Sequence, residues 1–64
     1  MTTKYAVDLL SGDRFIPKHS DRVVYIDWIS DDEPTDRIVV MGYFEDDGET
    51  YDRILDYDSI VKVL

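Results

Sequence analysis

Apolar and polar positions alternate with a period of two along most of this chain, the repeat of a β-strand with one buried face. Residues 22–29 read Arg-Val-Val-Tyr-Ile-Asp-Trp-Ile. Val24, Ile26 and Trp28 occupy one parity; Val23, Tyr25, Asp27 and Ile29 occupy the other. An unpaired carboxylate is costly to bury, so Asp27 marks the second set as the solvent face. Val24, Ile26 and Trp28 are the expected core residues, with Tyr25 at least partly exposed beside Asp27.

Residues 38–44, Ile-Val-Val-Met-Gly-Tyr-Phe, are apolar on both parities, as in a central strand of a small barrel. Gly42 inside the run predicts a bend, a bulge or a close backbone approach. The run stops at Glu45-Asp46-Asp47-Gly48-Glu49 and resumes at Thr50-Tyr51-Asp52-Arg53-Ile54-Leu55. Asp-Gly between two strand patterns predicts a hairpin, because glycine accepts the positive φ such turns require. The hairpin is expected over residues 37–45 and 49–55.

The remaining segments are shorter. Arg14-Phe15-Ile16-Pro17 predicts a short strand that Pro17 ends or places on an edge, since proline donates no ladder hydrogen bond. Asp56-Tyr57-Asp58-Ser59 predicts a turn, read as one 3-10 turn, ahead of a closing strand at residues 60–64. Residues 4–10 are open between a strand, from the alternation of Tyr5, Val7 and Leu9, and one helical turn. No segment sustains a 3.6-residue period, so no long helix is expected. The sum is an all-β chain of five short strands. Five such strands cannot stack as two sheets, but they can curl into one barrel and so cover most of their edges.

Sixty-four residues make a single domain over residues 1–64. A core of that size supplies a few kcal/mol of net stability. The chain has no cysteine, so neither disulfides nor thiolate metal sites support it. The net charge of −8 argues against nucleic acid as a ligand, since phosphate binding needs clustered Lys and Arg. The acid is concentrated in the second half and in two gaps between strands: Asp31, Asp32, Glu33 and Asp36 in one, Glu45, Asp46, Asp47 and Glu49 in the other. No apolar run reaches the length of a membrane span and the first residues carry no apolar leader, so a cytoplasmic location is expected.

The order of short strand, long strand, glycine-bent strand, hairpin partner, turn and last strand is similar to SH3-like and Sm-like barrels. Leu9-Leu10-Ser11-Gly12-Asp13-Arg14-Phe15 resembles the opening of many small β domains: leucine, two residues, Gly-Asp, a base, an apolar residue. Among these are short accessory proteins of bacteriophages, chiefly of actinobacteria. The resemblance continues through Gly48-Glu49-Thr50-Tyr51 and the strand at residues 60–63. It implies the small barrel fold, and the host cytoplasm as the location of a viral protein. It implies no activity.

The candidate chemistry is sparse. His19, the single histidine, lies between Lys18 and Ser20-Asp21, and sequence neighbours rarely converge as a catalytic triad. Asp52, Asp56 and Asp58, with Asp46 and Asp47, are oxygen donors suited to a hard cation, but their spacing departs from the Asp-x-Asp-x-Asp-Gly calcium loop. They read as solvated turn carboxylates. Neither a cofactor nor a metal is expected, and no enzymatic activity, because a chain this small offers little room for a cleft.

The aromatics carry more. Tyr5, Phe15, Tyr25, Trp28, Tyr43, Phe44, Tyr51 and Tyr57 are more than a tiny core can hide. Tyrosines ringed by carboxylates suit the basic surface of a partner protein. The expected contact residues are Tyr25, Asp27, Asp31, Asp32, Glu33, Asp46, Asp47 and Tyr57. The two acidic clusters flank one strand, so they are expected at opposite ends of it, with the contact energy coming from aromatics such as Tyr25. One alternative is a self-assembling barrel subunit that pairs strand edges at residues 14–17 or 60–64. Another is a nucleic-acid-binding barrel using Lys4, Arg14, Lys18 and Arg22, against which the global field acts.

Overall fold

Six strands and two 3-10 turns form one antiparallel sheet in the computed structural model, which describes residues 2–64. The strands are β1 (Thr2–Tyr5), β2 (Arg14–Ile16), β3 (Val24–Asp32), β4 (Arg37–Phe44), β5 (Thr50–Asp56) and β6 (Ile60–Val63). The sheet order is β1-β6-β2-β3-β4-β5. No helix among the described residues is long and apolar enough to cross a membrane.

The sheet is strongly curled. Phe15 on β2 and Tyr51 on β5 are separated by two strands, about 14 Å along a flat sheet at the usual strand spacing. Their ring centroids nevertheless lie 5.6 Å apart at 84°, edge to face. Phe44 meets the same tyrosine at 5.7 Å and 87°. The inner surface therefore folds onto itself, enclosing Leu9, Phe15, Val24, Ile26, Ile38, Val40, Tyr51, Val61 and Val63. Ala6 closes the same core from a 3-10 turn at Ala6–Asp8. Curling supplies the second layer that one short sheet otherwise lacks.

The all-β class is as the periodicity predicts, but the strand count is six and not five. The open segment at residues 4–10 divides: Thr2–Tyr5 pairs with β6, and Ala6–Asp8 turns inward. Ala6 N–H donates to Ser59 O at 2.7 Å and Val7 N–H to Tyr57 O at 3.2 Å, which fixes the change of direction. The barrel expectation also changes, because β1 and β5 are not hydrogen-bonded to each other and the sheet keeps two edges. The expected 3-10 turn before the last strand is a single turn, Ser59 N–H to Asp56 O at 3.1 Å. Tyr57 N–H is spent on Asp36 O at 3.0 Å, extending the β4–β5 ladder. The second 3-10 turn lies at Glu33–Thr35, where Pro34 fits the first helical positions and Asp36 (φ 53°) ends it in the left-handed region.

The hairpin forms as predicted, within a residue at each end. Gly48 takes φ 75°, and its N–H donates to Phe44 O at 2.7 Å. The Asp47 carboxylate accepts from Glu49 N–H at 2.8 Å, an Asx turn. Pro17 lies just past the end of β2, as expected.

The residues 14–17 and 60–64 are not available as pairing edges. β2 lies between β6 and β3, and β6 between β1 and β2. The free edges are β1 and β5.

Candidate interaction face

The outer surface of β3, β4 and β5 follows from one bulge. Ile26 pairs with Gly42 and Trp28 with Met41, so Asp27 has no partner and the side-chain alternation slips by one. Val24 and Ile26 stay fully buried, as predicted, but Trp28 moves to the outer face and is 51% exposed. Its expected place in the core is wrong for that reason. The bulge is held from the side by the loop before β2: Gly12 N–H donates to Ile26 O at 2.8 Å, and the Ser11 hydroxyl to Asp27 O at 3.0 Å. Gly42 is needed opposite, because a Cβ there would overlap the carbonyl oxygen of Tyr25.

The registers arrange the outer face in rows. Tyr25, Tyr43 and Thr50 form the first row; Trp28, Met41 and Asp52 the second; Ser30, Val39 and Ile54 the third; Asp32, Arg37 and Asp56 the last. Tyr25 and Tyr43 stack with centroids 5.4 Å apart, tilted by 30°. Tyr43 is 41% exposed and Ile54 61%. An apolar strip thus runs diagonally across three strands with nothing over it, bordered by Asp27, Asp52, Asp32 and the Arg37–Asp56 ion pair, 3.3 Å.

The predicted contact residues separate into three places. Tyr25, Asp27 and Asp32 lie on this face, Tyr25 half-buried and both acids exposed. Asp31, Glu33 and Tyr57 lie at one end of β4. There the Tyr57 hydroxyl donates to the Asp31 carboxylate. That hydrogen bond, with burial and the nearby charges of Asp31, Glu33 and Asp36, pushes the Tyr57 phenol up to about 12. Among the described residues no base forms an ion pair with Asp31, Asp32, Glu33 or Asp36.

Asp46 and Asp47 lie at the other end of β4 and are already engaged. Arg22 donates to both Asp46 carboxylate oxygens at 2.9 Å, reaches Asp47 at 3.1 Å and lies 3.8 Å over the Phe44 ring. Arg14 holds Glu45 in the same two-pronged manner at 2.7 and 2.8 Å. These pairings lower the carboxyl pKa of Glu45 and Asp46 and raise the guanidinium pKa of Arg14 and Arg22. The 45–49 cluster is therefore an internal clamp, and the unspent acid collects at residues 31–36.

Sequence reasoning missed Trp28, Val39, Met41, Tyr43 and Ile54 as surface residues. The signal was present in residues 38–44: an apolar run on both parities can mean two covered faces or one face left uncovered. Among the described residues no three carboxylate or imidazole groups converge on a point where a metal ion would sit. No family model, curated protein or solved structure matches the chain.

Proposed function

We propose that the chain is a small, non-enzymatic protein-interaction module that meets a basic surface of a partner protein through the outer face of β3, β4 and β5. The observation that carries the reading is the uncovered strip of Trp28, Tyr43, Met41 and Ile54, bordered by carboxylates. Monomeric proteins rarely leave a contiguous apolar patch open without a use for it. Tryptophan and tyrosine dominate the energy of protein contacts, and the unpaired acids at residues 31–36 steer a basic partner toward the strip. On this reading the curled sheet is a variant of the small SH3-like or Sm-like barrel, and the partner we propose, from the resemblance to phage accessory proteins, is a protein of a bacterial cytoplasm.

The test is capture from bacterial lysate at low and high salt, by the native protein and by Trp28→Ala and Tyr43→Ala. Both side chains are exposed, so each variant should melt within a few degrees of the native protein. The expected result is a partner held at low salt, released at high salt and lost from both variants. Capture that is indifferent to both substitutions removes the face from the reading.

A further inference from the structure

The inference concerns how the partner is held, and for the existence of a basic protein partner it rests on the reading above. Among the described residues, β5 is hydrogen-bonded to no strand but β4. Phe44 N–H donates to Glu49 O at 2.8 Å and Tyr57 N–H to Asp36 O at 3.0 Å, one pair at each end of the ladder. Hydrogen-bonded and non-hydrogen-bonded pairs alternate in an antiparallel ladder. Tyr51, Arg53 and Leu55 therefore turn their backbone groups toward β4, and Thr50, Asp52 and Ile54 turn theirs toward open solvent; Asp56 also turns outward, but its carbonyl already accepts from Ser59 N–H at 3.1 Å. A row of unpaired donors and acceptors on a strand of seven residues is a template for another strand.

We propose that β5 is a docking edge for an extended, basic segment of the partner, which adds as a seventh strand antiparallel to β5. Side chains directly opposite each other share a face, so the complement of β5 can be written out. Asp52 on the outer face calls for Lys or Arg, Ile54 for an apolar residue, and Arg53 on the inner face for a carboxylate; Asp56 already pairs with Arg37 at 3.3 Å and can share its carboxylate with a second base.

The same side chains disfavour a second copy of the chain in the three registers that overlap β5 with itself most. In an antiparallel pair of β5 strands centred on Arg53, Arg53 faces Arg53. Centred on Asp52, Asp52 faces Asp52; centred on Ile54, Asp52 faces Asp56 twice. Like charges directly opposite destabilise a pair. Arg53, an inward-facing charge on an edge strand, is also a recognised guard against self-pairing. In these three registers the edge is thus closed to itself, while it stays open to a strand of opposite charge.

The test uses a blocked synthetic peptide, Lys-Leu-Val-Glu-Lys-Val-Thr, added to the full chain and followed by amide exchange in NMR. The expected result is new protection at Asp52 and Ile54 N–H, with Tyr51, Arg53 and Leu55 protected before and after. Ile54→Pro removes one outward N–H without touching the β4 ladder, and it should weaken the peptide roughly fivefold or more relative to Ile54→Ala. A peptide with glutamates in place of the lysines should not bind. Absence of protection at Asp52 and Ile54 at millimolar peptide overturns the proposal. So does growth of the mass of the free protein with concentration in sedimentation, which would show the edge occupied by a second copy. Perturbation confined to Trp28 and Tyr43 overturns the edge and leaves the face standing. Protection of the edge, with lysate capture indifferent to Trp28→Ala and Tyr43→Ala, does the reverse.

Discussion

Residues 31–36 and 45–49 are nearly the same in composition: four acids each, around the turns at the two ends of β4, although Asp31 and Asp32, expected in the loop, are the last residues of β3. In the folded chain they behave as opposites. The 45–49 turn receives two arginines from residues far away in sequence, each gripping a carboxylate with two hydrogen bonds. The 31–36 loop receives none, and its one strong partner is a phenol. Acid in a sequence is therefore not a measure of field at a surface, because long-range pairing decides what remains. Here it leaves one end of β4 half-neutralised, two guanidiniums against four carboxylates, and the other anionic, with the uncovered aromatic strip between them.

The most drastic way to break the contrast is to break the strand that spaces the two segments. A methyl group at Gly42 must displace the backbone of Tyr25 on the neighbouring strand. Gly42→Ala should cost about 3 kcal/mol, the upper range for overpacking, because rigid backbone and not a flexible side chain must move. That is most of what a core of this size supplies. Chemical denaturation should find the variant largely unfolded, and a midpoint close to native would remove the close approach from the account.

The two ends should also fail at opposite ends of the pH scale. Glu45 and Asp46 have carboxyl pKa values lowered below 4.5 and 3.8 by Arg14 and Arg22. A lowered folded pKa means that the contribution is present above those values and lost as pH falls through the folded ones. The Tyr57 phenol is raised from 10.0 to about 12, so its contribution is present below pH 10 and lost as pH rises through about 12. Thermal melts across pH should decline on both sides. Arg22→Ala should flatten the acid-side decline and leave the alkaline side as it is, while Asp46 titrates upward toward an ordinary carboxylate by NMR. An acid-side decline unchanged in Arg22→Ala would show that the clamp does not couple to folding.

How much of this is legible in the sequence divides along local and long-range lines. The hairpin was readable because Asp47-Gly48 carries its own geometry, and Val24 and Ile26 because period two fixes a face. Trp28 was not readable: one unpaired residue reverses parity, and the bulge at Asp27 depends on Gly42 across the ladder and on Ser11 and Gly12 beside it. β1 was half readable, since its direction is set by hydrogen bonds to Ser59 and Tyr57 at the far end of the chain. The same holds for the acidic clusters. Their positions at the ends of β4 could be inferred from strand order, whereas the arginines that silence one of them arrive from β2 and from the loop before β3. Tyr25 and Asp27 lie on the solvent face that period two predicts; Asp32, read as loop, is the last residue of β3, and Asp46 and Asp47 were credited with charge that Arg22 had already taken.

The finest probe of the contrast is Asp31→Asn, which removes a charge from the anionic end and keeps an acceptor for the Tyr57 hydroxyl. The hydrogen bond to Asp31 is the largest cause of the raised phenol pKa, and the Asp31 charge adds to it. An amide accepts the same proton less strongly and carries no charge to repel a phenolate. Tyr57 should then titrate below its native value of about 12, back toward 10, in ultraviolet difference spectra. Both groups lie at the surface, so the melting temperature at neutral pH should scarcely move. The Arg22 clamp at the far end of β4 should titrate as before, because exposed charges more than a Debye length apart are screened from each other and an eight-residue strand spans about 26 Å. A coupled change in Asp46 would mean that the two ends share one field, and the division between a silenced and an anionic end would fail.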